Sequence, residues 1–414
     1  MRIDIDTYHE LLQTLSRNKT RTFLTGFGVF WGVFMLLGLI GGGAGLEQML
    51  SSNFEGFATN SAWVFEQQTT KPYKGHRKGR WWSLCLSDVE RLRQQVAGID
   101  VVTPVLSQWG VHAVVGDKVF SAVVKGIYPD YARVETPKLL YGRYLSDADM
   151  VGHRKVCVIG RRVYESLFPY GGDPCGSKLR LDSTYYTVIG VNVASGGINI
   201  NGSANESVYV PIPLMRATFN RGEQVDLLAL TVRKGVTVTD ITPAVKHTIQ
   251  RAHEIAPTDD DAVMVFNTEV MFGLMESLFS GVNLLILLVG IGTLLAGAIG
   301  VSNIMMVTVR ERTTEIGIRR AIGATPRMVL AQILSESLLL TIVAGCSGIV
   351  FAVIVLQMLQ MGVDASGGAT GHFQVSFGAA IGAAVLLSVL GVVAGLAPAM
   401  RAMTIKPVDA MRED

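Results

Sequence analysis

The residues best placed to do chemistry lie in segment 303–336, where charged and apolar side chains alternate at helical spacing. Glu315 and Arg319 stand one helical turn apart, so they either pair with each other or present opposite charges to a partner. Glycines at 317 and 323 permit a close approach and a sharp break. The chain has no G-x-x-x-x-G-K-[ST], H-E-x-x-H or G-x-S-x-G motif. The chain therefore gives no sign of ATP hydrolysis or bond cleavage, and the segment is compatible with recognition of a partner protein.

A helix is needed to position these residues. We expect it to leave a membrane span at Val309, to break at Gly323 shortly before Pro326, and to restart at Met328 as the next span. An apolar face is expected from Ile316, Ile318 and Ile322. Such a helix fits a groove on another protein. The alternative is a charged loop that only orients the spans.

Four long apolar runs surround this segment. A bilayer core about 30 Å thick needs roughly 20 apolar residues in a helix. The qualifying runs are Thr22–Leu46, Leu278–Val309, Met328–Leu359 and Phe377–Met400, all uncharged except for Glu336. Their length disfavours buried helices of a soluble protein. The first run exceeds the apolar part of a signal peptide and lacks a clear cleavage site, so we expect an uncleaved anchor.

Lys and Arg residues predict the orientation of these spans, because they concentrate on the cytoplasmic side. The loop between the third and fourth spans has neither residue, which places it outside. The flanks expected inside hold Arg2, Arg17, Lys19 and Arg21, then Arg310, Arg312, Arg319, Arg320 and Arg327, and finally Arg401, Lys406 and Arg412. A net charge of +2 gives no reason to expect a nucleic-acid partner.

The predicted fold class is an α-helical membrane protein with four transmembrane helices and a mixed α/β extracytoplasmic domain between the first and second. The predicted segments are an amphipathic N-terminal helix at 1–21, spans at 22–46, 278–309, 328–359 and 377–400, an outer domain at 47–277, a loop helix at 310–327, an outer loop at 360–376 and a tail at 401–414. Small residues at helical spacing predict that the first two spans pack closely, within or between protomers. They are Gly28, Gly32, Ala296 and Gly300.

Within the outer segment, alternating patterns predict strands, and polar caps predict helices between them. The predicted strands are Val111–Val115, Val119–Val124, Lys155–Ile159, Tyr185–Val193, Ser207–Val210 and Leu227–Val232, and the predicted helices are Val89–Val96 and Ile241–Ala256. The basic stretch Thr69–Arg80 is interpreted first as a solvated flexible loop, and alternatively as a contact for lipid or a partner. Ala194–Glu206 is interpreted as an exposed loop tip.

The number and spacing of the cysteines give little information about disulfides or metal sites. Cys85, Cys157 and Cys175 lie in the outer segment and Cys346 in an apolar run, without C-x-x-C spacing and without histidines at metal-ligand spacing. No metal site is predicted. The first three cysteines are compatible either with one disulfide or with free thiols.

The stretch ERTTEIGIRRAIGATPRMVLAQILSES resembles the signature of the MacB/FtsX-like permeases, R-x-x-E-I-G-[IL]-x-[RK]-[AS]-[IL]-G-[AS]. The opening NKTRTFLTGFGVFWG and the closing LAPAMRAMTIKPVDAMRED are similar to other motifs of that family. So are LSDVERLRQQVAGIDVVTPVLS, VCVIGRRVYESLFP and YYTVIGVN in the outer segment. The resemblance covers nearly the whole chain. It departs in Ile322, where Leu is frequent, and in the longer and more basic stretch Thr69–Arg80.

The resemblance implies the permease subunit of an ABC transporter in a bacterial inner membrane, which transmits ATP-driven closure to its periplasmic domain. Its expected partners are a cytoplasmic ABC ATPase, a second permease copy or paralogue, and membrane lipid, with a periplasmic adaptor and an outer-membrane channel as further candidates. We expect ATP and Mg²⁺ on the separate ATPase, since residues 1–21 leave no room for a fused one, and no cofactor on this chain. The expected ATPase-coupling residues are Arg312, Glu315, Ile316, Gly317, Arg319, Arg320, Ile322, Gly323 and Ala324.

Two alternatives share this plan. One is a permease that releases lipoproteins to a carrier. The other transports nothing and regulates a cell-wall hydrolase or a sensor kinase from the membrane. The substrate itself cannot be inferred from the residues.

Overall fold

The computed structural model describes residues 19–194, 196, 199–366 and 371–405. Most of the predicted N-terminal helix at 1–21 and most of the predicted tail at 401–414 lie outside these residues. The chain forms two compact units. We call residues 51–277 the inserted domain, and residues 1–50 with 278–414 the helical unit.

The described helices have the following bounds: α1 Lys19–Ser52, α2 Leu86–Gln95, α3 Asp147–Val151, α4 Arg161–Leu167, α5 Ile212–Phe219, α6 Val238–Ala252, α7 Thr268–Glu311, α8 Thr313–Ala321, α9 Pro326–Ser366 and α10 Phe377–Met403. The strands are β1 Ser61–Glu66, β2 Leu84–Cys85, β3 Ile99–Val115, β4 Lys118–Ile127, β5 Leu139–Gly142, β6 Val156–Gly160, β7 Lys178–Leu181, β8 Thr184–Asn192, β9 Ser207–Pro211, β10 Gln224–Val225, β11 Leu227–Val232 and β12 Val263–Asn267.

In the helical unit, the described part of the chain contains four helices long and apolar enough to cross a membrane, namely Gly26–Ser52, Thr268–Glu311, Pro326–Ala365 and Phe377–Met403. They bury a shared cluster that includes Val33, Val301 and Ala399. Large apolar side chains such as Leu288 and Val343 remain exposed on their outer faces. Lipid is the solvent that suits this arrangement, since helices satisfy their own backbone hydrogen bonds.

Small residues bring the helices of this unit together. A Cβ on Gly297 of α7 would come within 2.9 Å of the Gly28 carbonyl oxygen of α1, and one on Gly32 within 3.3 Å of Leu294. Between α9 and α10, a Cβ on Gly395 would come within 2.9 Å of the Ser337 side chain. The Ser337 hydroxyl also donates to the Gly391 carbonyl at 2.9 Å. These helices therefore touch at backbone distance.

The inserted domain is built on a ten-stranded mixed sheet in the order β12-β1-β11-β3-β4-β9-β6-β8-β5, with β7 paired to β3 and β8. The pairs β4–β9 and β6–β8 are parallel, and the neighbouring pairs β3–β4 and β3–β11 are antiparallel. Strand β3 pairs through its first part with β11 and through its later part with β4, and its register against β4 shifts between Gln108 and Val111.

Most residues of the basic stretch Thr69–Arg80 are exposed, as expected of a solvated loop, but hydrogen bonds hold both of its ends to the rest of the inserted domain. The buried Asp259 carboxylate accepts from the Thr70 amide at 2.7 Å, the Thr70 hydroxyl at 2.6 Å and the Lys71 amide at 3.0 Å. Arg80 donates to the His253 carbonyl at 2.6 Å. The backbone turns through positive φ at Gly75 and Gly79. Hydrogen bonds thus stabilise this stretch, which buries few apolar side chains.

The stretch Ala194–Glu206 is also attached to the sheet, in contrast to the predicted exposed tip. Asn205 donates to and accepts from the Ala194 backbone, at 3.1 Å each. The fully buried Lys125 of β4 donates to the Gly202 carbonyl at 2.8 Å and the Ile200 carbonyl at 3.3 Å. Burial lowers the pKa of Lys125.

The four cysteines are free thiols in the structure. Cys157 is buried in the main apolar cluster of the inserted domain. Burial raises the pKa of the Cys175 thiol to about 11. Raised pKa values keep such thiols protonated and unreactive at neutral pH.

Candidate functional site

The predicted coupling segment forms the short helix α8 between the long helices α7 and α9. Glu315 lies in its first turn and Arg319 and Arg320 in its last, which complements the helix dipole. The helix ends at Ala321, and Ile322 is its C-cap. Gly323 follows with a φ of 113°, which a residue with a Cβ adopts at a cost. Pro326 then begins α9, a position that suits its missing amide hydrogen.

The predicted apolar face of Ile316, Ile318 and Ile322 is wrong, because these three side chains do not lie on the same side of the segment. Ile316 packs against the cluster of the helical unit, and Gly317 beside it is buried. Ile318 is 45% exposed and Ile322 is 83% exposed. Residues two apart in a helix point in nearly opposite directions, whereas residues four apart share a face. Ile318 and Ile322 therefore form an outward pair, and Ile316 belongs to the interior.

Arg312 joins the start of α8 to α9. Its Nη1 lies 3.3 Å from Oε1 of Glu336, whose side chain is almost completely buried. Its Nε lies 4.0 Å from Glu315. Glu336, the one acidic residue in an otherwise uncharged run, thus has its partner on the loop. Breaking such a buried pair by removing one member costs about 3–5 kcal/mol, because the other charge stays buried.

Glu315 and Arg319 pair with each other, with Nη2 and Oε1 3.0 Å apart. Arg319 also donates to the Gln332 side chain of α9 at 3.1 Å. Glu315 is about half exposed, so this ion pair contributes at most about 1 kcal/mol. Both residues remain close to the surface, but their charges already have partners within the chain.

Arg320 reaches the end of α10. Its Nη1 donates to the Met403 carbonyl at 2.9 Å and to the Ile405 carbonyl. The last carbonyls of a helix have no partner inside it and carry a partial negative charge. The guanidinium therefore caps α10 from a neighbouring helix, a role that the local sequence of α8 did not indicate.

The outward surface of the segment combines exposed apolar side chains with exposed charged ones such as Glu315 and Arg327. Ile318 and Ile322 are exposed, Met328 at the start of α9 is 63% exposed, and Ala324 is half-buried. Gly323 is exposed, and a Cβ built on it would meet no atom within 4 Å. Met328 falls within the predicted third span and was therefore not among the predicted coupling residues. Its position two residues after Pro326 and next to Arg327 is the signal that could have grouped it with the loop.

The predicted helix-packing residues divide into two pairs. Gly28 and Gly32 of α1 lie against α7 at backbone distance. Ala296 of α7 is exposed, and a Cβ on Gly300 would meet no atom within 4 Å. Within one chain, Leu294 and Gly297 make the contact instead, because they occupy the face of α7 that is turned to α1.

Comparisons with known proteins agree with this architecture. A model of the MacB-like periplasmic core domain matches residues 22–248, more than half of the chain, and a model of the FtsX-like permease C-terminal region matches residues 287–407. The chain belongs to the MacB/FtsX-like permease family. The predicted resemblance is confirmed, as is the predicted fold class of a membrane protein with an inserted α/β domain.

Relatives of this MacB/FtsX-like permease include two proteins named "Macrolide export ATP-binding/permease protein MacB". The one from Bdellovibrio bacteriovorus is 27% identical over 413 residues, which are 99% of this chain and 62% of that protein. The one from Agrobacterium fabrum is 27% identical over 401 residues, 96% of this chain and 59% of that protein. The chain thus spans about three fifths of these curated relatives.

Two solved structures are also similar to the permease. The periplasmic region of MacB from Actinobacillus actinomycetemcomitans aligns with a TM-score of 0.43 and 23% identity, over 54% of this chain and 96% of that one. The extracellular domain of the noncanonic ABC-type transporter YknZ from Gram-positive bacteria aligns with a TM-score of 0.41 and 17% identity, over 50% of this chain and all of that one.

Proposed function

We propose that this permease transmits ATP-driven movement of a cytoplasmic ABC ATPase to its periplasmic domain, and that it thereby exports or extracts a substrate at the inner membrane. The observation that carries the proposal is the outward pair Ile318 and Ile322. Glu315, Arg319 and Arg320 have partners within the chain, while these two large apolar side chains are exposed on the short segment between the second and third candidate spans.

An exposed apolar pair on a helix suits a hydrophobic groove of a partner protein. The names of the curated relatives pair ATP binding with a permease, and the present sequence has no phosphate-binding loop motif. We therefore assign ATP and Mg²⁺ to the ATPase and the docking surface to α8. The predicted coupling residues Arg312, Gly317 and Arg320 support this surface from the inside.

The test is recovery of a co-expressed ABC ATPase on the affinity-tagged permease. Ile322→Asp places a carboxylate in the apolar contact, where it loses its hydration without a partner. We expect recovery to fall at least about tenfold, which corresponds to roughly 1.4 kcal/mol. Glu315→Gln serves as the matched control on the same helix, and its recovery should stay near that of the parent.

Equal recovery with Ile322→Asp and the parent, at matched membrane expression, would overturn the docking surface. Loss of recovery with Glu315→Gln alone would show that the contact depends on charge instead. Gly317 is not suitable for this test, because it is buried and a large side chain there would disturb the permease itself.

A further inference from the structure

We infer that Arg320 is a positioning residue that fixes α8 to the end of α10, so that the loop helix and the last membrane helix move as one element. The inference rests on the proposed function, in which α8 receives the movement of the ATPase. It changes the assignment of Arg320, which the sequence analysis placed on the docking surface.

The geometry at Arg320 resembles a helix cap. One nitrogen of the guanidinium serves two carbonyl oxygens, that of Met403 in the last turn of α10 and that of Ile405 just beyond it. The amides of Thr404 and Ile405 still donate to the Arg401 and Ala402 carbonyls, and Arg320 serves the carbonyls of Met403 and Ile405 beside them. A cationic donor at this end interacts with the helix dipole as well as with the individual oxygens.

The neighbouring arginines lead to a different helix. Arg312 contacts Glu336 and Arg319 contacts Gln332, both on α9. Consecutive residues of a helix point about 100° apart, and Arg320 is turned toward the end of α10. Arg320 thus adds a polar contact at the end of α10, where Ala402 and Ile405 pack in the apolar cluster of the helical unit.

The rest of α10 is closely packed on α9. Gly391 and Gly395 lie against Thr341 and Ser337, and a Cβ on Gly391 would come within 3.2 Å of Thr341. A displacement of α8 that reaches α10 through Arg320 is therefore applied to a helix pair that has little freedom to slide. Arg312 connects the start of α8 to α9, and Arg320 adds a second connection from α8 to α10.

The test measures the distance between α8 and α10 in the purified full-length chain, reconstituted in lipid without any ATPase. Spin labels are attached at Thr314 and Arg401, both exposed, after Cys85, Cys157, Cys175 and Cys346 have been replaced by alanine. Labelled chains are diluted with unlabelled ones to suppress distances between protomers. The parent should give one narrow distance distribution.

Arg320→Gln removes the cation, and we expect the width of the distribution to increase at least about twofold. Arg320→Lys, which keeps a cationic donor on a shorter side chain, should give an intermediate width. Arg327→Gln is the matched control: it removes an exposed arginine near the same segment, for which the described residues provide no hydrogen bond or ion pair, and it should leave the parent width unchanged.

An unchanged width for Arg320→Gln would overturn the inference. If that variant does not fold, Arg320→Met keeps the apolar stem without the charge and takes its place in the comparison. Because no ATPase is present, a failure of ATPase docking would leave this result untouched, and the two proposals can fail separately.

Discussion

At the scale of single residues, the arginines of the loop show what sequence reasoning reaches and what it does not. Charge and spacing were sufficient to predict that Glu315 could pair with Arg319, four residues on. The partners of Arg312 and Arg320 are distant in sequence, on α9 and at the end of α10. A local pattern shows that a guanidinium needs acceptors, but the tertiary structure decides which acceptors it finds.

Asp149 of the inserted domain provides a prediction about acid. Its buried carboxylate accepts from Arg143 Nη1 at 2.7 Å and Nη2 at 3.0 Å, and from the Ser146 hydroxyl at 2.8 Å. The Arg143 hydrogen bonds in particular lower the pKa of Asp149 to about 2. The native state therefore favours the ionised form more than the unfolded state does, by about 2 kcal/mol.

This stabilisation is fully present above about pH 4 and is lost as the pH falls toward 2, because the unfolded state then binds the proton first. We expect Asp149→Asn to lower the free energy of unfolding by at least about 2 kcal/mol at pH 7. The difference in the free energy of unfolding between Asp149→Asn and the parent should become smaller as the pH falls from 4 to 2. Urea unfolding followed by tryptophan fluorescence measures both, and Asp147→Asn, an exposed change in the same helix, is the control.

At the scale of elements, hydropathy located the long helices but not their ends. Helix α7 begins at Thr268 and α9 extends to Ser366, beyond the apolar runs from which the spans were predicted. Hydropathy reports the part of a helix that suits lipid, whereas backbone hydrogen bonds continue past it. Strand β3 was predicted only from Val111 onward, because its first half is buried nearly continuously and shows no alternation.

The contact between α1 and α7 leads to a prediction about helix packing. Gly297→Val should push the two helices apart, since even its Cβ would lie 2.9 Å from the Gly28 carbonyl oxygen. Gly300→Val on the same helix meets no atom within 4 Å and should be tolerated. We expect a loss of about 1–3 kcal/mol for the first change, as for other overpacked sites. Thermal unfolding of the detergent-solubilised chain provides the comparison, and equal stability of both variants would contradict the contact.

At the scale of the whole molecule, the periplasmic domain and the loop helix α8 are predicted to lie on opposite sides of the membrane. Cysteines introduced singly at Lys118 and Thr314, both exposed, test this in a cysteine-free chain. A charged maleimide added to spheroplasts should label Lys118→Cys and leave Thr314→Cys unlabelled until the membrane is broken. Labelling of Thr314→Cys in intact spheroplasts would contradict the orientation inferred from Lys and Arg.

The insertion of residues 51–277 between α1 and α7 also has a consequence for biogenesis. A ribosome that adds about 5–20 residues per second needs tens of seconds to pass from one helix to the next. During that time the surface of α1 around Gly28 has no contact with Gly297, because α7 has not yet been synthesised. Helix α1 is also the least apolar of the four spans. Its outward side chains, Phe23, Leu24 and Trp31 among them, must hold the nascent chain in the bilayer until its partner helix emerges.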